Sequence, residues 1–137
     1  MARIQLKDQD GDNLVIQQGE SHNMDPITFK DLANPPVQLT AANIVTLTLT
    51  LFDAATEAKI NSRNAQDVKN ANGGTLDTDG TFTMALDPAD AAIASGSLAT
   101  GGKETKVARY DWTWNDGQAR TGRVEFIFEV EKVASIT

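Results

Sequence analysis

One short segment does most to limit what this chain can fold into. From Ile44 to Phe52 the sequence reads IVTLTLTLF, so that apolar side chains alternate with threonines. Alternation with a period of two places one set of side chains on each face of an extended strand. The segment is rich in β-branched residues and has no helical repeat, so it predicts a strand and not a helix. The face turned toward a core is predicted to carry Val45, Leu47, Leu49 and Leu51.

A second alternation, near the C-terminus, predicts a β-hairpin. Two strands, Glu104–Asn115 and Gly122–Lys132, are separated by a turn that contains Asp116-Gly117. Asp-Gly readily takes the positive φ angles of a tight hairpin turn. Each strand carries a row of apolar and aromatic residues on one face, and the rows are predicted to pack on each other or on an opposite sheet. The rows are Ala108, Tyr110, Trp112 and Trp114 on the first strand, and Val124, Phe126, Phe128 and Val130 on the second.

Shorter strands complete the prediction of an all-β fold. Arg3–Lys7 and Leu14–Gln18 flank a turn rich in Asp, Gly and Asn, as the two arms of a hairpin would. Short strands separated by turn signals are typical of an antiparallel β-sandwich, here formed by one domain over residues 1–137. The other predicted strands are Asp25–Asp31, Val37–Leu39 and Thr81–Leu86.

One short helix and two long loops are predicted between the strands. The helix lies near residues 88–93, because Asp87 can cap it and Pro88 suits its first position. The loops lie near residues 61–75, which are polar and rich in Asn, and near residues 94–103, which are small and rich in Gly.

The composition narrows the possible partners. The formal net charge of −7 repels phosphate backbones, so nucleic acid is not predicted as a partner. The chain has no cysteine, which excludes disulfides and thiolate metal sites and suits folding in a reducing cytosol. No apolar run approaches the roughly 18 residues of a membrane span, and the N-terminal sequence lacks the apolar region of a signal peptide.

Asp8, Asp10 and Asp12 alternate as the first ligands of an EF-hand loop do, which makes them weak metal candidates. The sixth position of that motif is Asn13 instead of Gly, and the twelfth is Gly19 instead of a bidentate Glu. A hairpin turn rich in Asx residues is therefore the favoured interpretation. No metal and no cofactor is predicted.

Catalytic chemistry has little support in the sequence. A second acidic stretch could supply a carboxylate pair for glycoside hydrolysis, but its residues fall in turns and at a helix start, where Asp serves the backbone. His22 is the only histidine, and the chain has no nucleophile elbow and no phosphate-binding glycine loop. The expectation is a protein that is not an enzyme and has no catalytic residue. The acidic residues are Asp77, Asp79, Asp87 and Asp90.

The row of Tyr110, Trp112 and Trp114 has two interpretations. Such a row can form a platform on which sugars stack, which would make the chain a carbohydrate-binding module. Alternation on a long strand also describes the buried face of a sheet, and this interpretation is favoured. If the end of the row is exposed, Trp114 is the candidate contact residue.

The order of the motifs resembles a phage family. The resemblance is to the N-terminal domain of phage baseplate upper proteins and to related free-standing Ig-like proteins of phage heads, necks and tails. It covers roughly residues 15–130, although the two predicted long loops exceed what a minimal member needs. The matching segments are Gln17-Gln18-Gly19-Glu20-Ser21, Ile27–Asp31, Pro36–Ile44, Asp79-Gly80-Thr81-Phe82-Thr83, Tyr110–Trp114, Asp116-Gly117 and Arg120–Phe126.

The resemblance implies an Ig-like sandwich that acts as a structural protein of a virion assembled in the host cytoplasm. The implied partners are other virion proteins, namely capsid, connector, tail or fibre proteins, and further copies of the chain in a symmetric oligomer. Because the sequence stops at Thr137, with no fibre-bearing region after the domain, a head or neck accessory is expected ahead of a tail or baseplate adaptor. Neither nucleic acid nor membrane is an expected partner.

Contacts with those partners are expected on the N-terminal strand Ala2–Lys7 and on the two long loops. Loops carried by a rigid sandwich are the usual place for recognition, and exposed strand edges pair with other chains. The candidate interface residues are Ile4, Leu6, Asn70, Asn72, Ser97, Leu98 and Trp114.

Overall fold

The computed structural model describes residues 3–134, and its regular structure there is almost entirely β. The elements, in chain order, are β1 (Arg3–Gln5), β2 (Val15–Gln17), β3 (His22–Asn23), β4 (Ile44–Asp53), β5 (Gln66–Asp67), β6 (Gly74–Leu76), β7 (Phe82–Leu86), a 3₁₀ turn (Pro88–Asp90), β8 (Lys103–Asn115) and β9 (Ala119–Glu131).

The strands form two sheets that pack as a sandwich, which confirms the all-β prediction. The larger sheet has the order β1-β9-β8-β4-β5, and β2 also pairs with β9. The smaller sheet has the order β3-β7-β6. The helix predicted near residues 88–93 is only the 3₁₀ turn, which Asp87 and Asp90 close as a reciprocal capping box.

The centre of the larger sheet consists of the three strands that the long alternating segments predicted. β8 and β9 form an antiparallel hairpin that closes at Asn115 and Ala119, and β4 lies antiparallel on the other side of β8. A β-bulge between Ile44 and Thr46 changes the alternation at the start of β4. Ile44 is therefore buried, whereas Val45 is 59% exposed, which corrects its predicted place in the core.

The N-terminal strands are paired differently from the predicted hairpin. Both β1 and β2 run parallel to β9. The Leu6 N–H donates to the Ile127 carbonyl, and the Glu129 N–H donates to the Leu14 carbonyl. The chain thus follows one edge of β9, leaves it for the turn over residues 7–13, and returns to the same edge. The sandwich is antiparallel except along this edge.

Two other expectations need correction. The segments Asp25–Asp31 and Val37–Leu39 do not form the regular strands that were predicted. They take part only in isolated bridges, one between Ile27 and Phe82 and one between Lys30 and Gln38. The predicted loop at 61–75 contains β5 and the start of β6. Three of its four Asn residues have a backbone reason, because Asn tolerates positive φ better than most residues. Asn61, Asn70 and Asn72 all adopt positive φ.

One hydrophobic core joins the two sheets. The predicted inward rows of β8 and β9 are buried apart from half-buried Val124, and Tyr110 stands at the centre with no exposed surface. Phe82 from the smaller sheet meets the Tyr110 ring edge-on at 5.5 Å, and Phe29 lies 4.6 Å from the Trp112 ring. Each such aromatic side chain contributes about 1.5–3 kcal/mol by leaving water. The aromatic rows therefore hold the layers together.

Candidate interaction surface

A hairpin between Lys30 and Gln38 carries an exposed apolar tip, which we call the knob (residues 32–37). All six knob residues are exposed, including Leu32 at 72% and Val37 at 57%. The sequence of the knob, LANPPV, contains no charged residue. Exposed apolar side chains that cluster in one place are characteristic of interaction sites.

Asp31 holds the base of the knob. Its carboxylate accepts the Val37 N–H at 2.8 Å and the Ala33 N–H at 3.0 Å, and its own N–H donates to the Val37 carbonyl at 2.9 Å. The N–H groups of Val37 and Ala33 favour the ionised carboxylate and lower the pKa of Asp31. Below the knob, the Leu39 N–H donates to the Phe29 carbonyl. The apolar tip is thus presented in a fixed conformation.

Beside the hairpin, the sandwich is open along one side. β1 is an edge strand of the larger sheet. The result is a groove of about 490 Å³, which we call the lateral groove. Ile4, 48% exposed, lies on one wall, and segment 26–30, which leads into the knob, forms the other. The apolar lining includes Ile4, Pro26, Ile27, Trp112, Val124 and Phe126.

The knob and the lateral groove are neighbours on the surface. Lys30 lines the groove and also begins the hairpin that carries the knob. Five large hydrophobic side chains are exposed in residues 3–134, and three of them, Ile4, Leu32 and Val37, belong to these two features. A convex and a concave apolar surface therefore stand side by side.

No protein-family model matches the chain, and no curated protein matches its sequence closely enough to count as a relative. The candidate surface is therefore defined by its own geometry.

The predicted contact residues are distributed unevenly around this surface. Ile4 lines the groove, and Leu6 is half-buried against the core. Trp114 is only 3% exposed, so the prediction that it makes surface contacts is wrong for the folded chain. Ala2, at the start of the predicted N-terminal strand, lies outside the described residues.

The loop candidates have internal roles. The Asn70 side chain accepts the Leu76 N–H, and the Asn72 amide donates to the Asp67 carbonyl, both at 2.8 Å. Ser97 is exposed and shares a hydrogen bond with Ser95, whereas the Leu98 carbonyl accepts Lys132 Nζ at 2.7 Å. None of these four candidates lines the lateral groove.

The tryptophan row belongs to the core. Trp112 is 9% exposed and Trp114 is 3% exposed, and a sugar ring needs an open aromatic face on which to stack. The carbohydrate-binding interpretation is therefore wrong for this row. Gly122 shows how closely Trp112 is packed, because a Cβ atom at this position would overlap the indole.

The acidic motifs serve the backbone. Asp8 accepts the N–H groups of Asp10 and Asp12 in an exposed turn, as an Asx turn does. Asp79 accepts the N–H of Thr81, which lowers the pKa of Asp79. In residues 3–134 no group of three or more His, Asp or Glu side chains is arranged to hold a metal ion. The only histidine, His22, is half-buried in β3.

Of the remaining acidic candidates, Asp90 takes part in a buried ion pair, and the half-exposed Asp87 lies beside it. Asp90 has no exposed surface, Arg63 is 3% exposed, and the Arg63 Nη2–Asp90 Oδ2 distance is 2.9 Å. Asp87 caps the 3₁₀ turn and accepts a hydrogen bond from the amide of Asn61. Arg63 also donates to the Asn72 carbonyl. The network joins the 61–72 segment to the turn that follows β7.

A second buried network fixes the start of the 94–103 loop. The Lys106 side chain is fully buried, and its Nζ lies 2.8 Å from Asp53 Oδ1 and 2.7 Å from Glu104 Oε1. Glu104 also accepts the N–H groups of Ala94 and Ser95. Burial alone would raise the pKa of Glu104, but Lys106 and these N–H groups outweigh it and lower the pKa. Lys106 and the two N–H groups lock the loop to β8.

Sequence reasoning missed the knob, although a signal for it is present. Asn34-Pro35-Pro36 is typical of a loop or an edge, and it is flanked by two apolar residues: Leu32, which lies outside the predicted strands, and Val37, which is predicted to begin one. Such residues at a turn indicate exposure, and exposure of apolar groups indicates contact.

No helix in residues 3–134 is long and apolar enough to cross a membrane.

Proposed function

We propose that the chain is a structural protein of a bacteriophage particle and acts by binding neighbouring proteins, without catalysis. The observation that carries the proposal is the knob, an uncharged apolar tip held rigidly beside an open apolar groove. A monomeric protein in solution gains nothing from such a surface, whereas a component of an assembly buries it.

The charges of the chain support an adhesive role. Two buried networks, centred on Arg63 and Lys106, hold loops in place, and a third joins Glu125 to Arg3 and Arg109. Their side chains are committed to neighbours within the chain. At the knob and the lateral groove, the large side chains left exposed are apolar. Rigid apolar surfaces of this kind suit stable contacts, because little conformational freedom is lost on binding.

The resemblance to phage Ig-like proteins supplies the context of the particle. Within the family, a head or neck accessory and a tail or baseplate adaptor are both known roles, and we favour the head or neck. Its partners there would be capsid or connector proteins. The tail and fibre proteins are the alternative partners.

Purified particles of the encoding phage provide the test. Mass spectrometry of gradient-purified virions is expected to detect the chain at a copy number that fits the symmetry of the particle. Separating heads from tails before the measurement distinguishes the head or neck from the tail or baseplate. Recovery of the chain only from the soluble fraction of the lysate would refute the proposal.

A further inference from the structure

We propose that the lateral groove receives the knob of a second copy of this chain, so that two copies exchange knobs around a twofold axis. The inference deepens the proposed function, on which its role in a particle rests, by naming the first partner of the surface. It depends on four features of the two patches: shape, chemistry, position and charge.

The shapes and the chemistry of the two patches match. The knob offers Leu32 and Val37 on a braced tip, and the groove offers Ile4, Ile27 and Val124 as walls. The groove, which has a volume of about 490 Å³ and is open to solvent, offers room for an apolar side chain of the knob.

The position of the patches selects the symmetry. In a twofold contact, the surface that one copy offers must lie beside the surface that it accepts, because both touch the partner near one axis. Knob and groove meet this condition, since Lys30 lines the groove and begins the hairpin that carries the knob. Patches on opposite ends of the molecule would instead predict a ring or a filament. In the exchange, the knob of each copy fills the groove of the other. The dimer therefore buries twice the apolar area of a single knob–groove contact.

The charge of the chain favours contact through these patches. Two copies with a formal net charge of −7 each repel one another at long range. The knob has no charged residue, and the charged residues that line the groove are Lys30 and Arg123, of which Arg123 is paired with Asp111. Contact through these patches therefore places no acidic lining residue of one copy against the other. Added salt should therefore strengthen the dimer, because it screens the repulsion and leaves the apolar contact in place.

Sedimentation velocity of the full chain tests the exchange. We expect the wild-type chain to form a dimer at micromolar concentration, and Leu32→Asp or Ile4→Asp to be monomeric at the same concentration. An equal mixture of these two variants should regain part of the dimer, because one of the two contacts then joins the intact knob of one copy to the intact groove of the other. Val45→Asp is the control, since Val45 is 59% exposed but lies in neither patch, and it should remain dimeric. A monomeric wild-type chain, or a dimer lost in Val45→Asp and kept in Leu32→Asp, overturns the proposal.

Cross-linking gives a second readout that does not depend on dimer stability. The chain has no cysteine, so single cysteines can be introduced without competing thiols. Leu32→Cys mixed with a size-tagged Ile4→Cys should form the mixed disulfide dimer faster than Val45→Cys mixed with the same partner. Equal rates overturn the exchange. If the chain is monomeric but present in purified virions, the exchange is wrong and the structural role stands. If the chain is a dimer but absent from virions, the structural role is wrong and the exchange stands.

Discussion

The pair formed by Arg63 and Asp90 offers the sharpest test of how this fold is held together. The Asp90 carboxylate accepts hydrogen bonds from the Arg63 guanidinium, the Asn61 amide and the Asp87 N–H. Asp90→Asn keeps the size of the side chain and removes its charge. Arg63, which is 3% exposed, then keeps a buried positive charge whose remaining carboxylate partner is the half-exposed Asp87 at 3.7 Å.

The expected cost follows from burial. Removing one partner of a buried, hydrogen-bonded ion pair costs about 3–5 kcal/mol, because the remaining charge stays desolvated. Unfolding entropy scales with chain length, so for a chain of 137 residues each kcal/mol lowers Tm by about 3–4 °C. Asp90→Asn should therefore lower Tm by about 10–17 °C, measured by calorimetry or by circular dichroism.

Two further variants isolate the charge effect. Asp111→Asn breaks the pair with Arg123, whose side chains are 31% and 47% exposed, and should cost less than about 1 kcal/mol. The double variant Arg63→Met with Asp90→Leu removes both buried charges and should be more stable than Asp90→Asn alone. A loss below about 1 kcal/mol in Asp90→Asn, or an equal loss in Asp111→Asn, would refute the argument from desolvation.

Three further predictions concern pH, packing and solvent access. Burial alone would raise the pKa of Asp53, Glu104 and Glu125, but their hydrogen-bonded and cationic partners outweigh burial and lower all three pKa values. The stability that these groups contribute is therefore full above their unfolded pKa and is lost as the pH falls through the lower folded values. Urea unfolding should show a decline in stability below about pH 4, and Glu125→Gln should make this decline shallower. Gly122→Ala should cost about 1–3 kcal/mol by overpacking against Trp112, whereas Gly96→Ala, which meets nothing within 4 Å, should be nearly neutral in thermal melts. The buried indoles of Trp112 and Trp114 should resist quenching by iodide and show no fluorescence change with glycans; strong quenching of the native chain would contradict their place in the core.

The parts of the fold that the sequence predicted are those with long alternation. β8 and β9 follow one pattern over 13 residues each, and a shift of one residue would turn Tyr110 and Phe126 toward water. Such a pattern determines both the strand and its buried face. Val45 escaped this reasoning because a bulge depends on local pairing with β8, which the pattern of one strand does not contain.

The pairing of β1 and β2 could not be predicted for a related reason. Each has only three residues, too few for alternation to identify a partner, and the turn between them suggested that they pair with each other. Their actual partner, β9, follows more than 100 residues later. The buried charges were hidden as well, since Lys106 and Glu104 continue the inward row of β8 where the pattern expects apolar residues. Asp53, at the end of β4, comes to lie beside Lys106 only in the folded chain.

The distribution of charge in this protein connects its stability to its surface. Buried ion pairs contribute little net stability compared with apolar residues of the same size, and their best-supported role is to specify one arrangement. Here they specify loops: Arg63 fixes the 61–72 segment, and Glu104 fixes the start of the 94–103 loop. Asp31 does the same for the knob at the surface, with backbone N–H groups in place of a cation. The proposed binding role needs this order, because a partner must otherwise offset the entropy of fixing each loop when it binds.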